Sequence, residues 1–354
     1  MESVKDRFLR YVKIDTQSEQ HVDAIPSTQK QLDLCRMLRN ELISMGATNV
    51  LLDPHGYVTA TIPANTEKKA PIVGLLAHVD TSDAVSGANV NPVLTPNYGG
   101  GEIDMGNGYK LSPADSPALA NHLGEEIICT DGTTLLGADD QAGVAEIMTL
   151  AERLLSSDAP EHGTLRIGFT PDEEVGRGVD LFDVAAFNAD LAYTVDGGAL
   201  GEINYECFNA ADAEIHIQGL SLHPGSAKGR MVNALLVAME LHDLLPRFEN
   251  PACTEGYEGF FHLDKLEGCV DHADMSYILR DHDTEKFEQK KALMDKACAF
   301  LNGKYGTGTV LLELSDTYYN MKPKVPEFII TAAEHAMEAV GVTPRREPIR
   351  GGTD

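Results

Sequence analysis

Two kinds of apolar pattern alternate along the first half of the chain. Apolar residues that recur every three or four positions predict amphipathic helices, and short unbroken apolar runs predict buried strands. This alternation is typical of an α/β fold with a mixed, mainly parallel sheet that is flanked by helices. The predicted helices contain Val4 to Val12, Leu32 to Leu42 and Val144 to Leu155, and the predicted strands lie at 49–53, 57–62, 71–77, 165–169 and 191–195.

The pattern changes after Cys207. Ala213, Ile215 and Ile217 alternate with polar residues, as in a half-exposed strand. Further strand and helix patterns complete a βαββαβ set, which predicts an α+β lid domain. A helical pattern at 326–337 then resembles the first part of the chain, so the lid is expected to be an insertion. The predicted domains are a catalytic domain at 1–207, an inserted lid and dimerisation domain at 208–316, and the remainder of the catalytic domain at 317–354.

Residues 81–135 are rich in glycine, proline and asparagine and are predicted to form one long loop. A strand pattern at 127–129 is the exception. Loops of this length commonly carry function.

Charge and cysteine usage narrow the class of protein. The 354 residues include 55 acidic and 28 basic side chains, and the net charge of −27 would repel nucleic acids and anionic membranes. The N-terminus lacks the pattern of a secretory signal, and no apolar run is long enough to span a membrane. The six cysteines include no Cys-x-x-Cys pair and are expected to be reduced. A cytoplasmic enzyme is therefore predicted.

Acidic and histidine side chains stand directly after the apolar runs. Strand ends are where functional groups collect in α/β folds, and imidazole and carboxylate groups are the ligands that zinc accepts. The pattern predicts a two-metal hydrolytic site. The clusters are His78-Val-Asp80, Asp139-Asp140, Glu173-Glu174 and Asp196.

Three of the four clusters also have a structural interpretation. A histidine on an apolar strand, such as His78, often has no ligand role. Asp139 or Asp140 could cap the helix that follows, because aspartate is favoured at helix N-termini. Glu173 and Glu174 could form a solvated surface. From the residues alone these alternatives stay open.

Longer motifs surround these residues and continue into the second half of the chain. They are His78-Val-Asp80-Thr, Leu135-Leu-Gly-Ala-Asp139-Asp, Thr170-Pro-Asp-Glu-Glu174-Val-Gly, Tyr193-Thr-Val-Asp196-Gly-Gly, His223-Pro-Gly, Met231-Val-Asn-Ala-Leu235 and Arg350-Gly-Gly-Thr-Asp354. Together they resemble the peptidase T family of tripeptide aminopeptidases, within the di-zinc group that includes aminoacylases and carboxypeptidase G-like enzymes. The resemblance extends from residue 1 to the end of the chain.

The resemblance implies two Zn²⁺ ions per subunit and a role for each strand-end residue. It also implies a cis peptide bond between Asp139 and Asp140. The implied metal ligands are His78 and Asp196 on one zinc, Glu174 on the other and Asp139 as the bridge, with Asp80 orienting His78 and Glu173 acting as the general base.

The lid of such enzymes mediates a homodimer and contacts the substrate. By matching motif, the implied substrate-binding residues are His223, Asn233, Arg280 and Arg350. Arg280 suits a bidentate contact with the C-terminal carboxylate of a peptide, and Arg350 could assist.

Two departures from the family pattern stand out. Gln141 occupies a position where the family usually has lysine, which removes no ligand. Relatives continue for some tens of residues past the Gly-Gly-Thr-Asp354 motif, and that section carries a histidine ligand. The resemblance therefore implies a C-terminal truncation that leaves the Glu174 zinc one protein ligand short.

The predicted function is a zinc aminopeptidase that removes the N-terminal residue from tripeptides. One alternative is an N-acyl amino acid deacylase on the same scaffold, which would use the same water attack with different pocket contacts. Another is an inactive truncated fragment that retains dimerisation or peptide binding. Tripeptide substrates and a homodimer are expected, whereas nucleic acid and membrane partners are not.

Overall fold

The computed structural model describes residues 1–353, which divide by their contacts into two compact units, Met1–Gly198 and Ala199–Thr353. The predicted boundaries at 207 and 316, with a return to the catalytic domain at 317, stay a prediction. The strand formed by residues 345–347 pairs within the second unit, with residues 202–204. In the described chain, no helix is both long and apolar enough to cross a membrane.

The first unit contains most of the helices and strands that the apolar patterns predicted. Its helices are α1 (Val4–Tyr11), α2 (Gln31–Met45), α3 (Ala138–Leu154) and α4 (Val184–Phe187). Its strands are β1 (Thr48–Leu52), β2 (Val58–Ile62), β3 (Val73–His78), β4 (Pro92–Thr95), β5 (Ile103–Gly106), β6 (Tyr109–Leu111), β7 (Ile127–Thr130), β8 (Leu165–Thr170) and β9 (Leu191–Thr194).

The main sheet of this unit is mixed, in agreement with the predicted fold class. Its strands run in the order β1-β2-β8-β3-β9. β2 pairs antiparallel with β1 and β8, whereas β3 pairs parallel with both β8 and β9. Because parallel strands end at the same edge of a sheet, the segments that follow β8, β3 and β9 lie side by side.

Three helices build the core of the first unit. Leu34, Leu38 and Leu42 recur at helical spacing on α2 and are fully buried. α3 contacts β3, α1 and α2. α2 ends at Gly46, whose φ of +94° lies in the left-handed region that glycine adopts without steric cost. This packing holds α2 and α3 in place beside each other.

The predicted loop over residues 81–135 contains more regular structure than the sequence indicated. β4 pairs with β7 and β5 pairs with β6, both antiparallel. Tyr98, Ile103, Leu119 and Cys129 form a small core of their own. The prediction was wrong here because these strands are short and their pairing depends on partners outside the local pattern.

The second unit confirms the predicted βαββαβ order. Its four-stranded sheet runs β12-β13-β11-β14, with all neighbours antiparallel, and α5 and α6 contact that sheet. Its helices are α5 (Ala234–Asp243), α6 (Thr284–Tyr305) and α7 (Glu327–Ala339), and its strands are β10 (Glu202–Asn204), β11 (Asn209–Gln218), β12 (Phe260–Gly268), β13 (His272–Asp281), β14 (Val310–Tyr318) and β15 (Arg345–Glu347).

Candidate metal centre

The carboxyl edge of the parallel strands brings the predicted metal ligands of the first unit together. His78 is the last residue of β3, and Asp196 follows β9 by two residues. Glu173 begins a short 3-10 helix just after β8, and Asp139 lies at the start of α3. The order of strands in the sheet therefore explains why residues far apart in sequence become neighbours.

The imidazole of His78 lies at the centre of this group. The side chain is almost fully buried, and its Nδ1 lies 3.0 Å from the carbonyl oxygen of Asp80. Its Nε2 lies 2.9 Å from Oδ1 of Asp139 and 3.9 Å from Oδ1 of Asp196. When Nδ1–H donates to the carbonyl, Nε2 is the ring atom that faces the two carboxylates.

The charges around His78 favour a positive charge at its ring. Burial alone would lower its pKa, but hydrogen bonds with Asp139 and Asp80 outweigh burial, and the pKa is raised well above the usual value. The hydrogen bond from His78 lowers the pKa of Asp139. Burial, with the nearby charge of Asp139, raises the pKa of Asp196. An arrangement that stabilises a proton between these groups would also stabilise a metal cation there.

The two aspartates of the Asp139-Asp140 pair make different contacts, and the capping interpretation fits Asp140. Asp139 faces His78, whereas Oδ1 of Asp140 accepts the N–H of Gly143 at 3.2 Å, as a capping residue does. Oδ2 of Asp140 accepts the N–H of His78 at 3.1 Å. Burial raises the pKa of Asp140 to about 9. The peptide bond between the pair is cis.

Asp80 connects the end of β3 to the Glu173-Glu174 turn. Its side chain is fully buried. Its Oδ1 accepts the backbone N–H of Glu173 at 2.9 Å, and its Oδ2 accepts that of Glu174 at 3.1 Å. Oδ1 also lies 3.3 Å from Nδ1 of His78. One carboxylate therefore contacts both the histidine and the turn that carries the two glutamates.

Glu174 lies beside the same group. Its Oε1 accepts the backbone N–H of Ser82 at 3.1 Å. Burial raises the pKa of Glu174, and the negative charge of Asp139 raises it further. Glu173 is half-buried. Both glutamates are therefore partly buried, and both of their backbone amides are held by Asp80.

The donor set fits a metal ion. Ligand atoms of His78, Asp139 and Asp196 all lie within 4.8 Å of one another. One imidazole nitrogen and several carboxylate oxygens are donors that Zn²⁺ and similar divalent ions accept. Asp80 lies behind the histidine, as outer carboxylates do in metal sites. These residues could hold a metal ion with little rearrangement.

The four residues that the resemblance assigns to substrate binding lie in the second unit. Nδ1 of His223 accepts the N–H of Gly225 at 3.2 Å. Oδ1 of Asn233 accepts the N–H of Leu235 at 3.1 Å and so caps α5. Within the second unit, these local contacts are structural.

The two arginines of the set already make hydrogen bonds within the second unit. Nη1 of Arg280 donates to the carbonyl oxygen of Leu279 at 3.0 Å, and its guanidinium lies 5.4 Å from the centre of the Tyr318 ring. Nη1 and Nη2 of Arg350 donate to backbone oxygens of residues 254–258 at 2.7 to 3.3 Å. Arg350 therefore organises that segment of the second unit.

Asp172 is a buried residue of the site region to which the sequence analysis gave no role. Its carboxylate accepts hydrogen bonds from Ser27 and Gln31, which lie before and at the start of α2. The Thr-Pro-Asp-Glu-Glu motif contained the residue, but nothing in the local pattern indicated partners about 140 residues earlier.

Comparison with known sequences gives the same family as the motifs. The chain is 50% identical to a peptidase T of Lysinibacillus sphaericus and 50% identical to a peptidase T of Bacillus subtilis. Each match covers 100% of this chain and 87% of the relative. Residues 205–306 also match the model of the peptidase dimerisation domain. The similarity does not by itself support the expected C-terminal truncation.

Solved structures agree on the fold. An aminopeptidase PepT from Bacillus cereus superposes with a TM-score of 0.76 at 23% identity, over 99% of this chain and 85% of that chain. A tripeptidase from Staphylococcus aureus gives a TM-score of 0.77 at 20% identity, over 99% of this chain and 84% of that chain. A dinuclear metal-binding peptidase from Bacillus subtilis gives a TM-score of 0.63 at 13% identity, over 99% of this chain and 84% of that chain.

At these low identities the solved structures establish the fold alone, whereas the sequence relatives also establish the family. Identity of 50% extends across the whole chain, including the segments that bring His78, Asp139 and Asp196 together. We conclude that the chain belongs to the peptidase T family.

Proposed function

We propose that the chain is a zinc-dependent aminopeptidase that releases the N-terminal residue from tripeptides. The observation that carries this proposal is the cluster of His78, Asp139 and Asp196 beside the Glu173-Glu174 turn, in a chain that is 50% identical to peptidase T enzymes. A metal cluster with an adjacent carboxylate is the arrangement that amide hydrolysis needs.

The proposed ligands would divide between two metal positions. His78 and Asp196 would hold one Zn²⁺, Glu174 would hold the other, and Asp139 would be shared by both. Such a metal pair would supply a water molecule with a pKa of about 7 and would polarise the scissile carbonyl. The acidic surroundings of His78, described above, support a doubly charged cation at this place.

Two further carboxylates act on protons and on orientation. Glu173 would take a proton from the attacking water and deliver it to the departing amine. Asp80 would keep His78 oriented, because it contacts Nδ1 through both its carbonyl and its carboxylate. Asp80 would also hold the backbone of Glu173 in place.

Substrate contacts are proposed for the second unit. His223, Asn233 and Arg280 would contact the peptide, and Arg280 suits the C-terminal carboxylate because its guanidinium can donate two parallel hydrogen bonds. Arg350 would assist by fixing residues 254–258, to which it makes several hydrogen bonds.

A substrate panel combined with metal removal tests this function. We expect the purified chain to contain two zinc ions, to hydrolyse tripeptides, and to cleave N-acetyl and N-succinyl amino acids at least about 100-fold more slowly, because the site is expected to recognise a free peptide amine. A chelator should abolish hydrolysis, and added Zn²⁺ should restore it.

Two results would contradict the proposal. Cleavage of acylated amino acids alone would identify a deacylase on the same scaffold. Fewer than two bound metal ions with no hydrolysis of either class would favour a dimerising or peptide-binding fragment.

We also propose that the chain forms a homodimer through its second unit. The match to a dimerisation domain at 205–306 supports this, as do Leu236 and Met239, which are each 59% exposed on successive turns of α5. Apolar side chains exposed together on one helix face are typical of an interface.

The double substitution Leu236→Glu and Met239→Glu is expected to convert a dimer into a monomer of 38.3 kDa, measured by sedimentation at micromolar concentration. Charged side chains on this face would have to lose their hydration in the interface. The matched control is Leu266→Glu, which changes an exposed leucine on β12 and should leave the dimer intact. A double variant that still sediments as a dimer would exclude this face of α5.

A cytoplasmic location is proposed as well. All six cysteines are free thiols, and Cys253 and Cys269 are exposed. Exposed unpaired thiols persist best in a reducing compartment.

A further inference from the structure

We propose that Asp172 is a positioning residue that locks the Glu173-Glu174 turn to the first turn of α2. The hydrogen bonds that form this lock are present in the structure. Its consequence for catalysis rests on the proposed function, in which Glu173 is the general base and Glu174 a metal ligand.

The carboxylate of Asp172 is fully buried and its oxygens are fully engaged. Oδ2 accepts the backbone N–H of Ser27 at 2.7 Å. Oδ1 accepts the hydroxyl of Ser27 at 2.5 Å and the side-chain amide of Gln31 at 2.7 Å. In return, the backbone N–H of Asp172 donates to Oε1 of Gln31 at 3.2 Å. A buried carboxylate with this many donors is strongly held in one orientation.

The backbone at Asp172 shows why the turn depends on this lock. Its φ of +60° lies in the left-handed region, which costs free energy for a residue with a side chain. The hydrogen bonds to Ser27 and Gln31 offset that cost. The turn is then closed by the N–H of Arg177, which donates to the carbonyl oxygen of Asp172 at 2.9 Å.

Two buried carboxylates therefore hold the glutamate pair from different elements. Asp80, after β3, accepts the N–H groups of Glu173 and Glu174. Asp172 lies just before the pair, and its hydrogen bonds with Ser27 and Gln31 connect it to α2 and the segment before that helix. Asp172 contributes no group to the metal cluster, so its effect on the reaction must act through the position of the glutamates. A misplacement of about 1 Å in a catalytic group can cost about 100-fold in rate.

In the contact between the side chains of Asp172 and Gln31, Gln31 donates the hydrogen bond and Asp172 accepts it, so the two roles can be exchanged by substitution. Asp172→Asn replaces one carboxylate oxygen by an NH₂ group. That donor would then face an N–H donor of Ser27 or Gln31. Gln31→Glu places a second carboxylate against the first. The double variant Asp172→Asn with Gln31→Glu exchanges donor and acceptor, so the contact can form again with the net charge unchanged. The matched control is Asp33→Asn, which removes an exposed carboxylate from the same helix.

The first measurement is amide hydrogen exchange of residues 172–178 in the metal-free protein, which requires no activity. Asp172→Asn should increase exchange there by at least about 10-fold, because the turn opens more often when the lock is lost. The double variant and Asp33→Asn should exchange like the unchanged chain. Unchanged exchange in Asp172→Asn, or a double variant no better than the single one, would overturn the lock.

The second measurement is steady-state kinetics with a tripeptide, scaled to the folded, metal-loaded fraction. Asp172→Asn should lower kcat about 100-fold with KM within about twofold, and the double variant should recover most of the loss. A lower Tm with unchanged kcat per folded molecule would overturn the positioning role and leave a purely structural one. If the unchanged chain cleaves no tripeptide, the proposed function fails, while hydrogen exchange still decides the lock.

Discussion

Replacement of Glu173 by glutamine is expected to lower kcat for tripeptide hydrolysis by roughly 10³-fold while both metal ions stay bound. A positioned general base contributes about 10² to 10⁴-fold to such reactions. Glutamine keeps the size of the side chain and the backbone N–H that Asp80 accepts. It cannot take a proton from water or return one to the departing amine. KM should change little, because no ligand or substrate contact is removed.

Two controls make this measurement specific. Glu126→Gln changes a partly exposed glutamate that pairs with Lys5 on the surface and should leave kcat unchanged. Metal analysis of the Glu173→Gln protein should still give two ions per chain. If more than a tenth of the activity remains, or if a metal is lost with the substitution, Glu173 is not the base.

Replacement of His78 by glutamine is expected to have the second large effect, on metal content. Nε2 of His78 is the nitrogen donor within the cluster, and Asp139 and Asp196 supply only oxygens. Loss of an outer partner of a metal ligand already costs 10- to 100-fold in affinity, so loss of the ligand itself should cost more than roughly 100-fold. Titration with Zn²⁺ should show one high-affinity site fewer, and hydrolysis should fall with it.

The substitution also removes buried contacts, so folding must be measured beside metal content. His122→Gln is the matched control, because the His122 side chain is exposed and its Nδ1 lies 2.9 Å from a carboxylate oxygen of Glu125 on the surface. Circular dichroism and urea unfolding would show that the His78→Gln chain is folded. A folded His78→Gln protein that binds two zinc ions with unchanged affinity would exclude His78 as a ligand.

The apolar patterns predicted the frame of the site because they are local. Short unbroken apolar runs specified β3, β8 and β9, and period-3.6 spacing specified α3. The ordering of a parallel sheet brings the strand ends together. The same reasoning predicted the βαββαβ order of the second unit. Residues at or just beyond the end of a strand, such as His78 and Asp196, could therefore be selected without a structure.

The contacts that these side chains make could not be predicted, because most of them join segments that are distant in sequence. The different contacts of Asp139 and Asp140 follow from the backbone geometry at the start of α3, which the two identical side chains do not reveal. Asp172 binds residues at the beginning of the chain. The surroundings of Arg350 depend on residues 254–258, which no periodicity connects with it.

The position of β3 between β8 and β9 also has a consequence for the order of folding. Both parallel partners of β3 lie far from it in sequence, so their pairing has a high contact order and is expected to form late. Asp196 follows β9, so its contact with His78 is expected to form with that pairing. A metal ion that binds these residues would therefore stabilise the completed sheet, and metal uptake during refolding would report that β3 and β9 have paired.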